Sequence, residues 1–108
     1  MPAKLGRYVE DSPARRLARK WGNHFGHKSA GEFYRTVGIM QQILDGDEEK
    51  GVPAYTLEEI ETAIEALFQA HRNGLVEVRS PGFIKYVIAD ILSGEWNPSR
   101  GQRYVRVW

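Results

Sequence analysis

"RSPGFIKYVIADILSGEW", residues 79–96, admits two folds. As the wing of a winged helix, "LVEVRS" is one strand, Pro81-Gly82 a tight turn and "FIKYVIAD" the returning strand. As a helix, the stretch opens at Ser80 and closes at Gly94. Ile84, Val87, Ile88, Ile91 and Leu92 recur at helical spacing without a miss. As a strand, each face would mix polar with apolar: Phe83, Lys85, Val87 and Ala89 on one, Ile84, Tyr86, Ile88 and Asp90 on the other. Ser80-Pro81 is a helix-start signal and Gly94 a stop signal. The spacing predicts a helix over 81–93.

Three further helices lie upstream. In "SPARRLARKW" Ser12 is an N-cap and Pro13 takes the first helical position, where its missing N–H costs nothing. Leu17, Trp21 and Phe25 recur every four residues, and Gly22 is expected to end the regular helix before Phe25. In "SAGEFYRTVGIMQQIL" Ser29 and Glu32 form a capping box. Phe33, Val37, Met40 and Leu44 make its apolar stripe, flanked by Ile43, and Asp45-Gly46 ends it. In "YTLEEIETAIEALFQAHRNG" Thr56 caps, Glu59 closes the box, and Tyr55 and Ile60 are placed to staple the entry. Leu57, Ile60, Ile64, Leu67, Phe68 and His71 share one face. Glu58, Glu59, Glu61, Glu65, Gln69 and Arg72 share the other, and Gly74 supplies the stop. The expected fold is mostly α: a single domain over 1–108 with four helices at about 12–21, 29–45, 56–73 and 81–93. At most one short two-stranded β element, 75–78 with 103–108, is expected beside them. Residues 1–11 and 97–108 read as basic or flexible ends.

The chain has 108 residues, 42% of them hydrophobic and 27% charged, an ordinary globular composition. No apolar run approaches the roughly 18 residues of a membrane span. "MPAKLGRYVEDSP" has no apolar core of a signal peptide. The absence of cysteine excludes disulfides and thiolate metal sites, which suits a reducing cytoplasm. A cytoplasmic location is therefore expected, that of the host if the protein is phage-encoded.

No catalytic motif survives inspection. His24 and His27 lack a third metal ligand nearby, and they read as loop histidines beside a basic helix. His71 ends an apolar face, where a core contact or a helix-dipole role is the ordinary reading. "DGDEEKGVPAYT" fails as a calcium loop because Lys50 and Thr56 stand where glycine and glutamate are needed. The glycines form no phosphate-cradling pattern. The expectation is a protein that is not an enzyme, with no cofactor and no metal.

The charges are segregated although they nearly cancel. Residues 1–36 hold eight Lys/Arg against three Asp/Glu, residues 37–74 two against eight, and residues 75–108 five against three. Such polarity offers basic ends to an anionic partner; the alternative is a set of solvated helix faces. "RRLARKWGNHFGHK" and "WNPSRGQRYVRVW" interleave cations with aromatic rings, as nucleic-acid binders do to hold phosphates and stack on bases. The candidate nucleic-acid contacts are Arg15, Arg16, Arg19, Lys20, Trp21, Lys28, Arg100, Arg103, Tyr104, Arg106 and Trp108. For Trp21 and Phe25, a place in the core is the competing reading.

One helix pattern also resembles a known family. Thr56, Glu58, Glu59, Ile60, Ala63 and Ile64 match a "T-x-E-E/Q-I-x-x-A-I" helix. In the next helix Phe83 and Val87 stand where Tyr and Ile are usual, Ile91 takes the tryptophan position, and Trp96 comes five residues late. Over residues 12–96 the chain resembles the C-terminal helical domain of phage replication proteins and, more distantly, the DnaD-like helicase-loading domain. That resemblance implies DNA binding coupled to recruitment of a helicase or another replisome protein.

The expected function is that of a non-enzymatic nucleic-acid-binding replication accessory, with single- or double-stranded DNA as partner. Glu58, Glu61 and Glu65 would face a basic protein partner or water. Two alternatives stand beside it. One is a winged-helix transcription regulator, with Arg79 and Lys85 flanking the wing. The other is a small interaction or inhibitor module working through its acidic helix face.

Overall fold

The computed structural model describes residues 12–97. The basic ends 1–11 and 98–108 lie outside the described residues, and with them Arg100, Arg103, Tyr104, Arg106, Trp108 and the strand expected over 103–108. Four α-helices carry the described chain: α1 (Pro13–Phe25), α2 (Ala30–Asp45), α3 (Leu57–Arg72) and α4 (Phe83–Ser93). A single 3-10 turn, Glu48–Lys50, follows α2. The chain groups into two compact units, Met1–Leu57 and Glu58–Trp108. Among the described residues no strand forms. Their only β pairing is an isolated bridge between Asp47 and Val52. No described helix is long and apolar enough to cross a membrane.

In the first unit α1 packs on α2. Ala14, Leu17, Ala18 and Trp21 of α1 are buried, as are Thr36, Met40 and Ile43 of α2. The α2 stripe is thus rotated from the one expected: Phe33, Val37 and Leu44 are only half-buried. Thr36, polar and 0% exposed, takes a core position because its hydroxyl is fully paired, as described below.

The start signals of α1 and α2 act as read. Ser12 Oγ accepts the backbone N–H of Arg15 at 3.3 Å, and Ser29 Oγ accepts that of Glu32 at 3.2 Å. The reciprocal arm of the Ser29–Glu32 box is shifted by one residue, since the Glu32 carboxylate accepts the N–H of Lys28 at 2.9 Å. Gly22 does not stop α1, which runs on to Phe25. One glycine inside a helix costs only about 1 kcal/mol. Trp21 and Phe25 meet one turn apart, with ring centroids 4.4 Å apart.

After α2 the chain turns at Gly46, φ +68°, where a Cβ would come within 2.8 Å of the backbone of Val52 and Pro53. The Asp47 carboxylate accepts the N–H of Glu49 and of Lys50, closing the 3-10 turn. The Tyr55 N–H then donates to the Ile43 carbonyl, bringing the chain back to the end of α2.

In the second unit α3 buries Ile60, Ala63, Ile64, Leu67, Phe68 and Ala70. It ends at Gly74 (φ +73°), where Leu75 N–H donates to Ala70 O at 2.9 Å and Gly74 N–H to His71 O at 3.0 Å. This reverse wrap of the last carbonyls needs a left-handed residue. The segment 75–79 is irregular. Residues 80–85 then tighten through Phe83 N–H to Ser80 O, Ile84 N–H to Pro81 O and Lys85 N–H to Gly82 O. The α-helix therefore starts two residues after the position expected from Ser80-Pro81, and Ser80 serves through its carbonyl. Phe83, Ile84, Val87 and Ile88 are buried, and Gly94 (φ +82°) closes α4 as α3 is closed. Residues 83–93 are therefore helical and form no wing.

Candidate nucleic-acid interface

The buried stripe of α1 fixes where its cations point. With Ala14, Leu17, Ala18 and Trp21 turned inward, Arg16 and Arg19 lie on the outer face and are exposed. Arg15 and Lys20 flank the stripe on opposite sides and are half-buried. Lys28, in the turn between the helices, and Arg35, on α2, are exposed. Against these six cations the two helices and their turn carry two acidic residues, Glu32 and, at the last position of α2, Asp45. Glu32 sits in the first turn of α2, where its carboxylate complements the helix dipole and caps the Lys28 N–H. The α1–α2 hairpin is therefore a cationic surface.

Trp21 is not part of that surface. It is 3% exposed and cannot offer a face to a base, so its candidacy as a stacking residue is corrected: it is a core anchor. The aromatic ring that is exposed is Tyr34, at 55%. The Arg15 guanidinium carbon lies over it, 5.3 Å from the ring centroid. Phe33 meets the Tyr34 ring edge-on at a centroid distance of 5.3 Å. Tyr34 and Arg35 were missed in the sequence. The available signal was an aromatic residue lying off the apolar stripe of its own helix.

The two histidines are placed by the hairpin rather than by a metal. His24 lies in the last turn of α1, not in a loop, against Phe25 at a centroid distance of 4.5 Å. His27 reaches Thr36: Nε2 is 3.2 Å from Thr36 Oγ1, while that hydroxyl donates its only proton to the Glu32 carbonyl at 3.0 Å. The Thr36 oxygen must then accept, so His27 donates through Nε2–H. Its ring lies against Gly22, where a Cβ would sit 2.4 Å from His27 Cε1 and Nδ1. Gly22 is thus a notch for the imidazole. Among the described residues no cluster of three or more His, Asp or Glu could hold a metal ion.

The acidic residues of the expected partner face lie on the other unit. Glu58 and Glu65 on α3 are exposed and Glu61 is half-buried, in line along one face as their spacing predicts. Near α4, Arg79 pairs with Glu77 at 3.4 Å, both about two-thirds exposed, an arrangement worth little in water. No protein-family model matches the chain, and searches of curated proteins and of solved structures find no match.

Proposed function

We propose that the protein is a non-enzymatic nucleic-acid-binding accessory whose described contact surface is the cationic face of the α1–α2 hairpin. The observation that carries this reading is the excess of six cations over two carboxylates on that hairpin, with Glu32 committed to capping and Asp45 at the far end of α2. Arg15, Arg16, Arg19, Lys20 and Lys28 hold phosphates. The tail cations Arg100, Arg103 and Arg106, with Tyr104 and Trp108, belong to the same reading from sequence alone. Phosphate contacts release counterions, so binding falls steeply with salt.

The replication role, in which a helicase or another replisome protein is recruited, rests on the resemblance carried by Thr56–Ile64. Its partner face is Glu58, Glu61 and Glu65. The alignment of these carboxylates on one face of α3, with Glu58 and Glu65 exposed, also supports a second reading, an interaction module that binds a basic protein and no nucleic acid.

Fluorescence anisotropy with single- and double-stranded oligonucleotides across a salt series tests the proposal. Three or four phosphate contacts give a slope of log affinity against log salt near about −3. Replacing Arg16 and Arg19 by Ala flattens that slope by about 2 and weakens every sequence alike. Changing Glu58, Glu61 and Glu65 to Gln leaves binding intact or slightly tighter. Absence of binding at low salt overturns the proposal and promotes the acidic face.

A further inference from the structure

Tyr34 is the only exposed aromatic residue in the described part of the first unit: Trp21 is buried, and Phe25, Phe33 and Tyr55 are half-buried. A ring that serves only to fill a core would not be left 55% exposed. Here it stands among cations, with Arg15 drawn over it at 5.3 Å and Arg35 next in the chain. More than half of the residue's surface stays open with Arg15 already in place. The surface thus combines an exposed aromatic residue with a guanidinium that can reach a phosphate or stack on a planar group.

Duplex and single-stranded nucleic acid use such a surface differently. A duplex keeps its bases stacked inside and presents phosphates and base edges, so it engages the cations and leaves the ring idle. An unpaired base can lie flat on the ring while its phosphates meet the neighbouring cations. From this geometry we infer that Tyr34 and Arg15 form a seat for one unpaired base, giving the hairpin a preference for single-stranded nucleic acid. The inference rests on the nucleic-acid reading of the same face and adds which form is bound and which ring selects it.

The test uses the full chain, a labelled oligothymidylate and a blunt duplex of two complementary strands, with wild type, Tyr34→Ala, Tyr34→Phe and Arg15→Ala. Melting curves first establish that all are folded, as the exposure of Tyr34 leads one to expect. Tyr34→Ala lowers single-strand affinity by about ten-fold or more, the loss of one base–aromatic stack. Its duplex affinity stays within about two-fold of wild type, because phosphate contacts are untouched. Tyr34→Phe keeps the ring and keeps single-strand binding. Arg15→Ala weakens both forms. If Tyr34→Ala leaves the oligothymidylate unaffected, weakens both forms equally, or is matched by Tyr34→Phe, the seat is overturned while phosphate binding stands. If wild type binds neither probe, the underlying nucleic-acid reading falls with it.

Discussion

His27 donates its Nε2–H to the Thr36 hydroxyl across 3.2 Å, and Thr36 passes its own proton to the Glu32 carbonyl at 3.0 Å. This short relay joins the turn after α1 to the interior of α2. It also explains how a threonine sits at 0% exposure without an unpaired group. Thr36→Val keeps the shape, removes the acceptor and leaves the imidazole N–H to find water. The expected loss is about 1–3 kcal/mol, toward the lower end because His27 is only half-buried. Urea denaturation measures it; a midpoint equal to wild type would mean the relay contributes nothing.

Gly22 gives a prediction of sign. Gly→Ala inside a helix ordinarily stabilises by about 1 kcal/mol. Here the new methyl would meet the His27 ring at 2.4 Å, so the imidazole must swing away and give up Thr36. Gly22→Ala should therefore be neutral to destabilising in wild type. In a His27→Ala background the same change should stabilise by about 0.5–1 kcal/mol. A double-mutant cycle measures the reversal; additive effects of the two substitutions would remove the notch from the account.

Core truncations separate packing from binding. Ile64 is 0% exposed in the middle of α3, and Ile64→Ala should cost about 2–5 kcal/mol. Trp21→Ala should cost about 3–5 kcal/mol, because it opens a cavity in the first unit. Thermal melts decide both. A Trp21→Ala protein with an unshifted midpoint and lost nucleic-acid affinity would restore Trp21 as a stacking residue.

The helices were legible because local chemistry and periodicity agree on them. Ser12-Pro13, Ser29 and Gly94 all act at the boundaries they mark, and Ile84, Val87 and Ile88 are buried as their spacing requires. Gly22 sits inside α1 rather than at its end because what it supplies is a missing Cβ and not a turn, and the ring that needs the space, His27, is five residues away. Thr36 was passed over because burial of a hydroxyl depends on partners that only the folded hairpin supplies. The same cause hid the site. Cations on α1 are visible in "RRLARK", but Tyr34 gains its meaning from Arg15, nineteen residues earlier, across a helix pair. Trp21 was overvalued for the opposite reason, since interleaving with cations in sequence says nothing about which side of a helix faces water.

Only four residues, Gly26 to Ser29, separate α1 from α2. Joining the two helices closes a short loop, and closure entropy grows with loop length. Pairing of this kind is local, the property that goes with fast folding. The hairpin should therefore be largely formed at the rate-limiting barrier. Leu17→Ala would then slow refolding more than it speeds unfolding, whereas a change in the turn around Gly46 would act chiefly on the unfolding arm. The surface that carries the cations would be among the first parts of the chain to take shape.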